Sequence, residues 1–351
     1  MDRISSTVEP ELTNAEARHS GLRGKVVKVT VSSIPWLIIG GLLWAGLFIK
    51  PKPEGGTVQP PELERRDHFY GISPAPDGGV WVAGSGGKIL AVDDQGRVRP
   101  LASATPHTLQ DIAIWEGGRG VAVGNEGAVL ITADGGKTWR AVEDVPRSAV
   151  ANKLTRVRVG ADGQAIAVGE MGALLRSKDY GATWSRLRDE EDVAWNDVAL
   201  LPGGGLVVVG EFGRILVSPD GGSSWETPKV PVDSSLMSVA FRNGTDGVAV
   251  GLEGVVLTTR DGGRSWQQAE QGNHSHLFDV AWDAANQRWL GVVALGSWVS
   301  AASDAGVWQS GQLDERDLAW HTRVLPMGKE AWLAGANIGR WDGKLWHALG
   351  R

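Results

Sequence analysis

Four glutamates recur in the same short phrase of this sequence: Glu126 in GNEG, Glu170 in GEMG, Glu211 in GEFG and Glu253 in GLEG. Carboxylates brought to one place can bind a cation, attract a basic partner, or divide the acid and base work of glycoside hydrolysis when two stand about 5–9.5 Å apart. Glu170 and Glu211, from adjacent copies of the phrase, are the pair for that last role. Opposite charge lies at Arg156 and Arg158, which alternate with Val157 and Val159 and so point to one side of a strand. His274 and His276 are of the right type for metal ligation. Two loop histidines so spaced are ordinarily solvated, and neither a metal nor a cofactor is expected.

Composition removes other chemistries. With Cys 0 there is no thiolate nucleophile, no disulfide framework and no Cys-ligated metal. Lys+Arg 35 against Asp+Glu 41, a net charge of -6, supplies no basic field for nucleic acid. Gly 49 and Trp 17 stand out beside Tyr 2 and Phe 5, which points to many tight turns and a repeated aromatic contact.

The elements that must position these residues come as repeats. Homologous segments end at Trp139, Trp184, Trp225 and Trp266, spaced 45, 41 and 41 residues apart, with weaker copies at Trp308 and Trp346. A first copy begins near His68 and lacks the final Trp. The residue after the second strand keeps phase through Gly84, Gly124, Gly169, Gly210, Gly251, Val293 and Gly335, giving seven units. Runs such as DVAL, LVVVG, RILVS and SWETP are short, β-rich and bounded by turn residues, and four of them per repeat make a propeller blade. The expected fold is all-β: a seven-bladed β-propeller over 68–351.

Ahead of it, no charged residue occurs between Lys28 and Lys50, a stretch of 21 positions. That length spans ~30 Å of hydrocarbon as a helix. The run ends LFIKPKPEGG without a small-x-small cleavage site, so a retained signal anchor is expected over 29–49. Residues 1–28 then form a cytoplasmic tail, 50–67 a Pro/Gly-rich linker, and the propeller lies outside, in the periplasm of a Gram-negative cell. Gly41 and Ala45 form a small-xxx-small pair that lets a second helix approach.

The turn before the last strand has a sharper form, with Asp134, Asp179, Asp220 and Asp261 each followed five residues later by Trp139, Trp184, Trp225 and Trp266. This is the Asp-box, S/T-x-D-x-G-x-S/T-W, and its role is structural: the carboxylate accepts N–H groups of its own turn, a glycine takes positive φ, and the indole packs between sheets. Sialidases share the box but use a Tyr nucleophile. Tyr180 fills a variable slot of a box here and Tyr70 lies in an inner strand, so that activity is not expected.

The repeats over 68–351, with their GVAVGxxGxxLxTxDGGxTW pattern, resemble the photosystem II stability and assembly factor family of propellers. That resemblance implies a non-enzymatic factor that binds membrane subunits. For bacterial members outside photosynthesis it implies an envelope protein associated with transporters of the resistance-nodulation-division type. A retained anchor and the lack of a dense Arg cluster depart from the photosynthetic members, which use an Arg-rich patch. The expected partner is an integral membrane complex, with an envelope glycan hydrolase or lectin-like binder as the alternative.

Blade topology maps the candidates. If the inner strand runs from top to bottom, the Asp-boxes lie at the bottom and the loops between second and third strands lie at the top with the blade connectors. Glu126, Glu170, Glu211 and Glu253 are then expected to converge at the channel mouth, while Arg156 and Arg158, on the innermost strand, either face the channel and offset them or, as the favoured role, pair structurally. Trp289, Trp298 and Trp320 depart from the blade pattern and would mark a contact patch if exposed.

Overall fold

Seven antiparallel sheets follow one another along the chain, each built from consecutive strands. The structure, a computed structural model, describes residues 34–48, 62–270, 272 and 274–350. The chain divides into two units, Met1–Gln59 and Pro60–Arg351. In the first, residues 34–48 are helical and Trp44 stacks on Phe48 at 5.8 Å. A Cβ added at Gly41 would meet nothing within 4 Å. Among the described residues no helix is long and apolar enough to cross a membrane. The expected tail 1–28, both ends of the 29–49 segment and most of the linker fall outside the described residues.

The second unit is the seven-bladed propeller. Its innermost strands are Phe69–Pro74, Leu109–Ile114, Leu154–Val159, Trp195–Leu200, Leu236–Phe241, Leu277–Asp283 and His321–Met327. Each pairs with a second strand whose centre is wholly buried, such as Gly120–Gly124 and Leu206–Gly210. Strands buried on both faces read as continuous Val/Ala/Leu runs, as the sequence does here. A register shift recurs at the second residue of all seven inner strands. Such a bulge bends the strand and re-aims the following side chain.

Seven apolar clusters fill the seven seams between blades. Trp139 packs with Trp81 between the first two blades, Trp184 between the second and third, and Trp266 between the fourth and fifth. The seam from seventh to first blade is closed by Phe69, Val80, Leu90, Trp332 and Ile338, and by Arg340 Nη1 donating to the Asp94 carbonyl at 2.9 Å. Among the described residues no strand crosses from one sheet to another at this closure. Leu63 also packs on that seam, and Asp67 accepts from Lys88 Nζ at 2.6 Å. The last residues of the expected linker are thus bound to the propeller.

The four Asp-boxes are built alike. Thr132, Ser177, Ser218 and Thr259 donate a hydroxyl to the Asp two residues on and accept the amide of Gly136, Gly181, Gly222 or Gly263. The carboxylate also receives the backbone N–H and the hydroxyl of Thr138, Thr183, Ser224 or Ser265, the latter at 2.6–2.7 Å. Those glycines have φ between 76° and 93°, and each packs on the preceding blade, so a side chain is excluded by both conformation and space. The sixth blade keeps the geometry without the sequence: Trp308 Nε1 donates to the Ala305 carbonyl at 3.1 Å, with Ala305 at φ 52°.

The fourth blade departs from the expected four strands. Its third strand, Ile215–Ser218, meets the segment after Trp225 only through the Val217–Glu226 bridge. In the second, third and fifth blades the third residue after the box Trp (Val142, Leu187 or Ala269) donates its amide to the third strand. Pro228 occupies that position here and has no N–H to give. Trp225 is accordingly only partly buried.

Two outcomes follow. Trp184→Ala, which empties a packed seam, should lower unfolding stability by about 3–5 kcal/mol in denaturant titrations, and Trp225→Ala by clearly less. The hydroxyl of Thr138, then its amide, holds the Asp134 carboxyl at about 2, and Ser224 does the same for Asp220. A carboxyl whose native pKa lies below its unfolded value of about 3.9 stabilises fully above that value, and the contribution fades as pH falls toward the native pKa. The gap in thermal midpoint between the natural protein and Asp134→Asn should therefore be full at neutral pH and shrink on acidification to about pH 2.5.

Candidate functional site

The third residue of each inner strand follows the bulge. Around the propeller these residues are Gly71, Asp111, Arg156, Asp197, Ser238, Asp279 and Arg323. They close the axis of the propeller with ions. Arg156, 1% exposed, pairs through Nε with Asp197 at 3.1 Å and through Nη2 with Asp279 at 3.0 Å, reaching from the third blade to the sixth. Arg323 lies 3.7 Å from Asp111 and donates across the axis to the carbonyls of Gln110 and Thr155 at 3.3 and 3.4 Å. Arg158, two residues below Arg156, donates to Asp197 at 3.0 Å. At Gly71 a Cβ would stand 2.6 Å from the Asp111 Cα, so the first two inner strands pack with no side chain between them.

The same acceptors bind blade to blade. Asp111 accepts the amide of Val157, Asp197 that of Val239 and Asp279 that of Val324, at 2.9–3.1 Å. The Ser238 hydroxyl, with its one hydrogen, lies within donating distance of Asp197 and Asp279, at 2.9 and 2.7 Å, and accepts from Val280. Burial pushes the Asp197 carboxyl up, but Arg156 and Arg158 outweigh it and hold it below the usual range. Burial, reinforced by Arg156, lowers the Arg323 guanidinium to about 10. For Arg158 the three carboxylates overcome burial and raise it. Asp111, Asp197 and Asp279 balance Arg156, Arg158 and Arg323, so the closed axis is neutral.

The four glutamates stand on the expected loops, in two different settings. Asn125–Gly127, Glu211–Gly213 and Leu252–Gly254 are single 3₁₀ turns at the top, and Glu170–Gly172 occupies the same place. Glu170 and Glu211 take the first turn position and accept the connector amides of Lys153 and Ala194 at 3.2 and 2.8 Å. Glu126 and Glu253 take the second, at φ 56°. The four carboxylates therefore fall into two pairs with different surroundings, and Arg156 and Arg158 pair with the inner-strand aspartates Asp197 and Asp279. His276 Nδ1 accepts the Glu253 amide at 3.0 Å. Among the described residues no cluster of His, Cys, Asp and Glu is arranged to hold a metal.

That second turn position carries a feature not legible as a motif. Met171 (φ 52°), Phe212 (φ 56°) and Leu295 (φ 59°) occupy it in other blades. A bulky residue at positive φ costs about 1–2 kcal/mol, and Phe212 and Leu295 are also 69% and 65% exposed. Neither conformation nor burial accounts for them. Val150, on a connector at the same face, is 75% exposed.

The remaining aromatic candidates mainly pack. Tyr180 meets Trp115 edge-on under Arg119, and Tyr70 stacks on Trp320, its phenol raised by burial. Trp289 is buried against Trp282, and Trp298 lies on Trp341. Asp111, Asp197, Ser238, Asp279 and Arg323 were not singled out by motif. The signal that finds them is their shared third place in seven aligned inner strands.

Blade number, strand order and box geometry define an Asp-box seven-bladed propeller. The family model described as Photosynthesis system II assembly factor YCF48 matches residues 99–194 and 217–276. Those two stretches of the propeller are similar to that family. Among solved structures it is similar to YCF48 bound to D1 peptide, at 16% identity and TM-score 0.66, over 80% of this chain and 93% of that one. It is also similar to YCF48 from Cyanidioschyzon merolae, at 14% identity and TM-score 0.65, over 80% and 97%. The WD40 propeller domain of Doa1 follows at 10% identity and TM-score 0.64, over 78% and 92%. A search of curated proteins finds no match.

Removing one side of a buried ion network leaves the other side's charges without partners. Arg156→Met should cost about 3–5 kcal/mol in denaturant titrations, and Arg158→Met distinctly less, because its side chain is 38% exposed.

Proposed function

We infer that this protein is a non-enzymatic propeller, anchored by residues 29–49 in the inner membrane, that serves as an assembly factor or accessory subunit of an integral membrane complex. The carrying observation is the top face, where Phe212 and Leu295 are held in a costly backbone conformation with their side chains in water. Strain of that kind collects at sites of recognition, and exposed aromatic and aliphatic side chains become interface anchors. The peptide-bound YCF48 structure supports a protein-binding role for this type of propeller. The uncharged run between Lys28 and Lys50 supports the anchor. A tail on the cytoplasmic side and a periplasmic propeller complete the reading, and a transporter of the resistance-nodulation-division type is the partner the family resemblance favours.

Full-length protein extracted from its native host in mild detergent should bring a polytopic partner with it. Recovery of the chain alone overturns the reading. Phe212→Gly removes the exposed ring and relieves the positive φ, so the thermal midpoint should hold or rise by the equivalent of about 1 kcal/mol while partner recovery falls. Unchanged recovery with Phe212→Gly and Leu295→Gly combined would assign the interface to another face.

A further inference from the structure

Below the ion ring the channel is hollow. A cavity of 420 Å³, inside the range of small-molecule sites, lies among the inner strands of the third to seventh blades. Its space comes from the fifth residue of those strands. Ala199, Ala240 and Ala281 stand there in three consecutive blades, where Arg158 and Leu325 flank them. Leu200, Phe241, Trp282 and Leu325 line it beside the charged Arg158 and Asp279, the latter belonging to the ion ring.

One cation enters this space. The Arg158 guanidinium lines the cavity, is 38% exposed, and donates to Asp197 alone among the described residues. Its Nη1 and Nε hydrogens are left for another acceptor. Asp279 also borders the cavity, but its oxygens are engaged by Arg156, Ser238 and the Val324 amide. A guanidinium recognises a carboxylate through paired N–H groups, and the Arg158 hydrogens that Asp197 leaves unused, beside Ala240, Phe241 and Leu325, suit a carboxylate on an apolar body. We propose that the channel below the ring is a binding site for a small monocarboxylic acid, held by Arg158 with its hydrocarbon part against Ala240, Phe241 and Leu325. The site is separate from the top-face turns and does not depend on the partner reading.

The test is calorimetric titration of the full-length protein with hexanoate, and with hexanamide as a neutral isostere. Saturable binding of one hexanoate, with hexanamide roughly tenfold weaker or worse, is expected. Arg158→Gln, which removes the charge, and Ala240→Leu, which fills the chamber without touching an ion, should each weaken hexanoate by a similar factor. Near-ultraviolet circular dichroism of the tryptophans reports whether each variant is folded. If Arg158→Gln does not fold, Ala240→Leu and the hexanamide comparison decide. Absence of saturable binding at millimolar hexanoate, equal binding of hexanamide, or undiminished binding by a folded variant overturns the proposal.

Discussion

A buried guanidinium reaching across the axis from the third blade to the sixth is the contact on which this propeller turns. Seven sheets tilted about a common line leave a gap at the centre that apolar side chains of one length cannot fill evenly. Here it is filled by three carboxylates and three guanidinium groups whose charges cancel. Buried ion pairs are poor sources of net stability because desolvation offsets the attraction. Their value here is positional: each acid also accepts an amide from the next blade, so charge pairing and blade spacing are satisfied by the same atoms.

The two faces solve different problems. At the bottom, Asp, hydroxyl and glycine repeat with little change, because a turn that closes four hydrogen bonds tolerates few alternatives. At the top, the single 3₁₀ turns need a residue at positive φ but dictate little about its side chain. Gly86, Glu126, Met171, Phe212, Glu253 and Leu295 all occupy such a position. The backbone there is fixed and the side chain is free to vary, which is the condition under which a surface can be adapted to a partner without disturbing the core.

This division also governs what the sequence made legible. Blade number, strand phase and box chemistry could be read because their signals are local: a glycine, a serine or threonine, an aspartate and a tryptophan at fixed offsets. The axial ions could not be read in this way. Asp197 in WNDVAL and Asp279 in LFDVAW each look like an ordinary strand residue, and Arg323 stands far along the chain from the carbonyls it reaches. The glutamates were legible as a set but not in their settings. They share a phrase but differ by one place in the turn, and one place separates a side chain that fastens a connector from one at the tip. Pro228 removed an outer pairing that the repeat pattern alone implied.

Among the described residues every sheet is complete within its own stretch of chain, so the seam between seventh and first blades is held by side chains, with no shared strand. In mechanical terms the ring is a split washer and not a welded hoop. Load applied there meets van der Waals contact among Trp332, Ile338, Phe69 and Val80, and prising it apart need not peel any ladder of backbone bonds. What resists spreading is the hub: Arg323 of the seventh blade grips the second and third blades past the first, so the split can widen only if the spoke at the centre lets go.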